Sequence, residues 1–149
     1  MNVCAFDVAK RFLGVEEVEG LTSNPLVLGM LQLDAKWVRD DATPWCSAFL
    51  NFVAFLLGLP RSKSLAARSW LRVGTPIELF EARQENDVVI LTRGSGRQPG
   101  PETLDAPGHV GLFAGRAPGE VLLLAGNQGN EVSIARFPSE RVIGVRRLL

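Results

Sequence analysis

The chain has 149 residues, of which 46% are hydrophobic, with sixteen basic and sixteen acidic side chains and one histidine. A chain of this length suits one domain with a sizeable core, so we expect a single domain over residues 1–149. The charges cancel and no Lys/Arg block stands out, which excludes the electrostatic pattern of a nucleic-acid-binding protein.

The cysteines and the first residues indicate where the protein is made. Cys4 and Cys46 are the only two cysteines, too few for a disulfide framework. The N-terminal residues have neither the basic start nor the apolar core of a signal peptide, and the longest apolar run, residues 48–59, is too short to cross a bilayer. We therefore expect a soluble protein, synthesised in a reducing cytoplasm without a signal peptide and without membrane insertion. We expect no cofactor and no metal site.

The N-terminal half has the apolar spacing of helices. Residues 4–13 predict a first helix, and Cys4 is expected to be a small core residue because no capping signal places it at a helix start. A Ser-Asn-Pro sequence predicts the start of a second helix over residues 25–33. A further helix is predicted over residues 62–74.

Between these helices, the sequence predicts a helix that begins almost at Cys46. Thr43 or Asp41 can cap its start, Pro44 suits its first position and Gly58 suits its exit. Its surface is apolar on most sides, so we expect it to be buried. A thiol in the first turn lies at the positive end of the helix dipole, which favours thiolate over thiol and predicts a lowered pKa.

From residue 87 onward the pattern changes to short, β-branched runs. Five strands are predicted, at residues 87–92, 109–113, 121–125, 131–135 and 141–145. Helices followed by an antiparallel meander indicate an α+β fold. The loop over residues 94–107 is rich in glycine and proline and is too long for a tight hairpin, a feature typical of functional or mobile loops.

Three parts of the chain together have the side chains of a thiol hydrolase. Cys46 supplies a nucleophile, the lone His109 a base, and Asn127 or Gln128, at the end of the next strand, a polar residue that orients the base. A structural interpretation exists for each part. A cysteine at a helix start is about as often structural as catalytic, and Asn-Gln between glycines is typical of a turn.

The sequences around these residues resemble the signature blocks of the NlpC/P60 superfamily of papain-like cysteine peptidases and amidases. The three blocks lie at residues 41–49, 108–113 and 125–128. The similarity is greatest to a phage- and prophage-associated branch near the CHAP domains. Because other segments also fit that branch, the resemblance spans nearly the whole chain.

The resemblance implies a papain-like fold, in which the helix carrying the cysteine packs on an antiparallel sheet of about five strands carrying the histidine. Carried over by position, Cys46 would be the nucleophile, His109 the general base and then acid, and Asn127 the third member, with Gln128 as its rival. His109 would hold the thiolate as an ion pair, and Cys46 would then react with iodoacetamide much faster than Cys4. The backbone N–H of Cys46 would stabilise the oxyanion.

The substrate cleft departs from the family pattern. Many NlpC/P60 enzymes place a tyrosine near the catalytic cysteine, and this chain has no tyrosine. We expect Trp45, Ser47 or Asp40 to take that place, with Trp45 and Trp70 as apolar walls. Another departure is Asn86, where the family usually has glycine.

The resemblance also implies a bacterial cell-wall peptide as the substrate and partner. The expected function is that of a peptidoglycan hydrolase, acting as a phage or prophage lysin or as an antibacterial toxin after release by a holin or a secretion system. An immunity protein, or a phage or secretion component, is the other expected partner. Two alternatives remain: a catalytically inert module that serves in binding or structure, and an acyl transferase or hydrolase of non-wall amides that uses the same thiol.

The bond that is cut is either a peptide bond of the stem or the N-acetylmuramoyl-L-alanine amide. Arg93, Arg97 and Arg68 are available to pair with the carboxylates of an acidic peptide. This favours an endopeptidase that acts on the stem peptide. The loop over residues 94–107 is expected to form one rim of the cleft.

Overall fold

The computed structural model describes residues 2–18, 23–39 and 44–149. Within these ranges, helices come first and an antiparallel sheet follows, so the predicted α+β class is confirmed. The α-helices are α1 (Ala5–Ala9), α2 (Pro25–Gln32) and α3 (Cys46–Leu57). The strands are β1 (Thr75–Pro76), β2 (Asp87–Thr92), β3 (Gly108–Ala117), β4 (Glu120–Gln128), β5 (Glu131–Pro138) and β6 (Val142–Arg147). Short 3₁₀ helices lie at Lys10–Phe12, Ala67–Arg72, Leu79–Glu81 and Ser139–Arg141.

Local sequence signals explain where the helices begin and end. The Asn24 side chain accepts a hydrogen bond from the Leu26 N–H at 2.9 Å, and Pro25 occupies the first position of α2. Helix α3 begins at Cys46 and ends at Leu57, and Gly58 follows as its C-cap with a φ of 66°, a left-handed conformation that glycine adopts without strain. The predicted caps Asp41 and Thr43 lie outside the described residues. The helix predicted over residues 62–74 is a 3₁₀ helix at Ala67–Arg72.

The prediction for Cys4 is confirmed only in part, because its side chain packs against the main core cluster but lies at a helix start. Cys4 is partly exposed and precedes α1 as its N-cap, where its backbone N–H and its Sγ both donate to Asp7 Oδ2, at 3.2 and 3.0 Å. Burial and the hydrogen bond to Asp7 raise the pKa of the Cys4 thiol. Sulfur at a cap position is an uncommon substitute for the usual hydroxyl or carboxylate oxygen, so no sequence rule places it there.

The strand order in the sheet is β1-β6-β2-β3-β4-β5, and every neighbouring pair is antiparallel. The meander from β2 to β5 is as predicted, but the place of the last strand is not. Strand β6 crosses back to lie between β1 and β2 instead of extending the meander beyond β5. There Val145 packs among buried residues of the sheet, and Arg147 pairs with Asp87 at 2.8 Å.

The core divides into two layers because side chains alternate between the two faces of each strand. On one face, α3 contacts β3 and β4, and its Phe49 and Val53 share the main cluster with Val110 and Leu112. The opposite face carries a smaller cluster, which contains Leu91, Phe113 and other buried strand residues. Residue parity along β3 therefore puts His109 on the face opposite the helices, with Phe113.

The start of β2 is a structural junction. Asp87 is buried, its carboxylate pairs with Arg147 and its Oδ2 accepts the Arg83 N–H at 2.8 Å. Asn86 Oδ1 accepts the Ala5 N–H at 2.7 Å and so connects the sheet to α1. The side chain that replaces the expected glycine thus has a structural role.

Within the described ranges, no helix has the length and apolar character needed to cross a bilayer.

Candidate active site

Cys46 is the first residue of α3, and it is buried where α3 packs against the sheet. Burial raises the pKa of the Cys46 thiol, whereas the backbone N–H groups of Val110 and Ser47 and the charge of Arg93 act in the opposite direction. The lowered pKa expected from the helix start is therefore wrong, because desolvation of the thiolate outweighs the helix terminus. The contact with Val110 brings the thiol to the residue that follows His109.

His109 lies near the start of β3 with 6% of its surface exposed. Its ring packs against the ring of Phe137, with 5.3 Å between the centroids. Its Nε2 forms a hydrogen bond of 2.9 Å with Oε1 of Gln128 on the neighbouring strand. A histidine held in this way has a fixed ring orientation, as a general base requires.

The contacts of Gln128 determine which nitrogen of His109 carries the proton. Gln128 Nε2 donates to the carbonyl of Ser133 at 2.8 Å and to that of Leu123 at 3.3 Å. The amide nitrogen therefore points away from the imidazole, and Oε1, which can only accept, faces it. His109 Nε2 must then be the N–H donor, so that Nδ1 of the neutral ring holds the free lone pair.

The side chain that contacts the His109 ring is that of Gln128, the rival in the prediction, and not that of Asn127. The ladder between β4 and β5 shifts register between Ala125 and Gln128, and Asn127 has a φ of 60° in this irregular segment. An extra residue in one strand changes which side chains face the neighbouring strand. Asn127 lines the cavity beside His109, but within the described residues it has no hydrogen bond to the ring.

Burial lowers the pKa of His109, and the charges of Arg93 and Arg141 lower it further, against the opposing effect of the Gln128 hydrogen bond. With the pKa of Cys46 raised and that of His109 lowered, the thiol and the imidazole are both neutral near pH 7. The thiolate–imidazolium ion pair expected from the resemblance is therefore not the resting state.

A cavity of about 420 Å³ opens beside the imidazole. Its lining residues come from the residue after β2, the start of β3, the end of β4 and its turn, one face of β5, and the segment before β6: Arg93, His109, Asn127, Gln128, Gly129, Ser133, Ala135, Phe137 and Arg141. Cys46 does not line it, and no hydrogen bond joins Cys46 to His109 within the ranges that the structure describes. The Cys46 thiol contacts Val110, the residue that follows His109 on β3, and the charge of Arg93 acts on both Cys46 and His109.

The predicted cleft walls are in the core. Trp45, Ser47 and Trp70 have 0% exposed surface. Trp70 Nε1 donates to Ser47 Oγ at 2.9 Å, and Trp45 Nε1 donates to Glu17 Oε1 at 2.7 Å. These side chains hold α3 against its neighbours and offer no surface to a substrate, so their prediction as a cleft is wrong. Asp40 lies outside the described residues.

Of the arginines proposed to pair with carboxylates, only Arg93 lines the cavity. Arg68 is buried and donates to the carbonyls of Pro99, Gly100, Thr103 and Pro107, so it holds the loop that precedes His109. Arg97 is exposed and lies outside the cavity lining.

Sequence reasoning missed Arg141. Its guanidinium donates to the Thr92 carbonyl at 2.8 and 3.1 Å and lies 5.2 Å from the centroid of the Phe137 ring. Nothing in the local sequence distinguishes it from other surface arginines, because its position depends on β6 returning to β2.

Within the described residues, no group of three His, Cys, Asp or Glu side chains could hold a metal ion.

No family model fits the chain, and no curated protein is significantly similar to it. The resemblance to NlpC/P60 enzymes therefore stays a prediction from the three sequence blocks.

Proposed function

We propose that this protein is a papain-like cysteine hydrolase with Cys46 as nucleophile, His109 as general base and Gln128 as the residue that orients the base. The observation that carries the proposal is the hydrogen bond of 2.9 Å between His109 Nε2 and Gln128 Oε1. It leaves Nδ1 as the free basic nitrogen on a residue adjacent to Val110, whose N–H contacts the Cys46 sulfur. A nucleophile, a base and an orienting group in this order form the minimal set for thiol catalysis.

In the proposed reaction, Cys46 Sγ attacks the carbonyl carbon of an amide while His109 Nδ1 takes the thiol proton. The backbone N–H of Cys46, at the start of α3, donates to the oxygen that becomes negative. The imidazolium then gives its proton to the leaving amine, and a thioester remains. A water molecule attacks the thioester, His109 accepts its proton, and the acid product leaves with the thiol restored.

We propose a bacterial cell-wall peptide as the substrate, on the basis of the sequence resemblance. The protein would then act as a peptidoglycan hydrolase, with an endopeptidase favoured over an amidase that releases whole stems. As part of the same proposal, the protein would act on the cell wall either as a lysin or as a toxin.

The test is digestion of purified sacculi with mass analysis of the soluble fragments. We expect the wild-type protein to release fragments with a new amino terminus within the stem. Cys46→Ala and His109→Ala should release none, whereas Cys4→Ala is the matched control and should act as wild type. Release of intact stems would show that the N-acetylmuramoyl-L-alanine amide is the bond that is cut. Activity of Cys46→Ala equal to wild type would rule out the thiol mechanism.

A second candidate, a catalytically inert binding module of the same fold, is favoured by the separation of Cys46 from His109. The Cys46 thiol is buried with a raised pKa, His109 lies on the face of the sheet opposite α3, and no hydrogen bond joins the two side chains within the described residues. An inert module would sediment with sacculi, release no fragment, and bind equally well as the Cys46→Ala variant.

A further inference from the structure

One end of the molecule combines a cavity, exposed apolar side chains and an excess of basic residues. We propose that this end, where α1 meets the last turn of α3, binds the surface of an anionic phospholipid bilayer. The cavity there has a volume of about 850 Å³ and lies between residues 2–12 and Leu56. Binding of this kind needs no membrane-spanning segment and does not depend on the proposed hydrolase.

The apolar part of this surface comes from the N-terminal segment and from the last turn of α3. Val3, Val8, Phe12 and Leu56 line the cavity, and Phe55 lines the neighbouring cavity at the end of α3. Val3, Phe55 and Leu56 each expose half or more of their surface. Because exposed apolar side chains that cluster in this way mark interaction surfaces, this end of the molecule is expected to contact another molecule.

The charges at this end are mostly positive. Residues 2–13 and 52–63 contain four basic side chains and one acidic side chain, whereas the charges of the whole chain cancel. Two of the basic residues line the first cavity and two line the second: Lys10 and Arg11, and Arg61 and Lys63. A patch of this sign on a protein without net charge attracts an anionic partner.

Two of these cations are free to bind a ligand. Lys10 and Arg61 each pair with an aspartate, at 3.5 and 2.9 Å. Arg11 and Lys63 make no ion pair within the described residues. Each of these two can therefore approach a lipid phosphate without losing a protein partner.

A lipid surface fits this combination better than a helix of a partner protein would. The apolar side chains come from separate elements and alternate with cations around two cavities, instead of forming one continuous apolar groove. Basic side chains with aliphatic stems reach the phosphates while the apolar residues between them contact the acyl chains. Phe55 already lies beside such a cation, since the Arg61 guanidinium is 5.5 Å from the centroid of its ring.

This surface lies at the end of α3 away from Cys46. Leu56 is ten residues after Cys46, which is about 15 Å along a helix. Among the described residues, none that lines the cavity beside His109 also lines either of the two cavities at this end. Contact with a bilayer would therefore leave the candidate active site uncovered.

The test is cosedimentation of the wild-type protein with phospholipid vesicles, which requires neither substrate nor turnover. We would compare vesicles of phosphatidylcholine alone with vesicles of equal parts of phosphatidylcholine and phosphatidylglycerol. We expect binding to the anionic vesicles, at least about tenfold weaker binding to the neutral vesicles, and loss of binding as the salt concentration is raised. No binding to the anionic vesicles, or equal binding to both kinds, would overturn the inference.

Two double substitutions test the two parts of the surface. Phe55→Gln with Leu56→Gln removes the exposed apolar pair and keeps a residue type that helices tolerate well. Arg11→Gln with Lys63→Gln removes the two free cations. Each double variant should bind the anionic vesicles about tenfold more weakly than wild type.

The matched controls make the same changes elsewhere on the surface. Phe80→Gln replaces an apolar side chain that is 70% exposed, and Arg83→Gln with Arg97→Gln removes two exposed cations outside both cavities. Both controls should bind as wild type, and thermal unfolding of each variant checks that it is folded. Equal weakening by the control and test variants would overturn the inference. Binding of an acidic amphipathic peptide without binding of vesicles would also overturn it, in favour of a protein partner.

Discussion

Gln128 and His109 face each other across strands β3 and β4, with 2.9 Å between Oε1 and Nε2. Both are buried, and the amide of Gln128 is held at its other end by the carbonyls of Ser133 and Leu123. The imidazole is thereby kept in the tautomer with its lone pair on Nδ1.

Replacement of Gln128 should therefore lower activity more than replacement of Asn127. For Gln128→Ala we expect kcat to fall about tenfold or more, since a buried hydrogen bond of about 1.4 kcal/mol is lost and either tautomer becomes accessible. Asn127→Ala should change kcat less than threefold, which corresponds to less than about 0.6 kcal/mol of activation free energy. Steady-state hydrolysis of soluble wall fragments checks this, and a larger loss for Asn127→Ala would return the third role to that residue.

Acidification should inactivate and destabilise the protein through His109. Its pKa lies below the ordinary histidine value, so the unfolded chain binds the proton more readily. The contribution of His109 to stability is complete above about pH 6.5 and is lost as the pH falls through the lower pKa of the folded state. Urea unfolding at several pH values should show that acidification lowers the free energy of unfolding less in His109→Gln than in wild type. An NMR midpoint at or above that of a free histidine would contradict the prediction.

Alkylation by iodoacetamide should be slower at Cys46 than at Cys4 near neutral pH, the reverse of the expectation from sequence. The pKa values of both thiols are raised, but Cys46 is buried whereas Cys4 is partly exposed and accessible to the reagent. The rate at Cys46 should increase with pH through the alkaline range. Mass spectrometry of peptides after timed labelling measures both rates, and a rate at Cys46 that is already maximal at pH 7 would show a resting thiolate instead.

Arg68 should be essential for the order of the loop before His109. Its guanidinium is buried on four backbone carbonyls, so Arg68→Met leaves these acceptors unpaired and should lower the free energy of unfolding by about 3 kcal/mol. Arg72→Met, at an exposed position of the same 3₁₀ helix, is the control and should change it by less than about 0.5 kcal/mol. Hydrogen exchange should accelerate at residues 100–107 in the Arg68 variant only; unchanged exchange would argue against this role.

Two glycine-to-alanine substitutions should change the stability of the protein in opposite directions. A Cβ on Gly126 would lie 2.7 Å from the Trp45 ring and 2.9 Å from Phe49 Cβ, so Gly126→Ala should destabilise the protein by about 1–3 kcal/mol. Gly29 is exposed within α2 and an added Cβ there meets nothing within 4 Å. Gly29→Ala should raise stability by about 0.5–1 kcal/mol because alanine favours the helix. Thermal unfolding of both variants measures the difference, and equal signs would contradict the packing at Gly126.

Periodic sequence signals predicted most of the fold but little of the site. Helix α3 and the strands from β2 to β6 have continuous apolar patterns, and Gly58 marks the helix end. Cys46 and His109 were predictable because each is placed by such an element. Gln128 was not separable from Asn127, because the register shift in β4 is a tertiary feature with no local signature. The sequence favours a cleft position for Trp45 and Trp70 as much as a core position, because amphipathic side chains suit both, and only packing places them in the core.

The position of β6 has a consequence for biosynthesis. Strand β2 is complete at residue 92, but the partner on its β6 side begins only at residue 142, after the three intervening strands have been made. During translation, one edge of β2 with its buried Val88, Val89 and Ile90 therefore stays open until β6 has left the ribosome. An open apolar edge is prone to pairing with other chains. Ribosome stalling or premature termination before β6 should thus produce nascent chains that aggregate or require a chaperone, whereas interruption within β6 itself should be progressively less harmful as more of its pairs with β2 form.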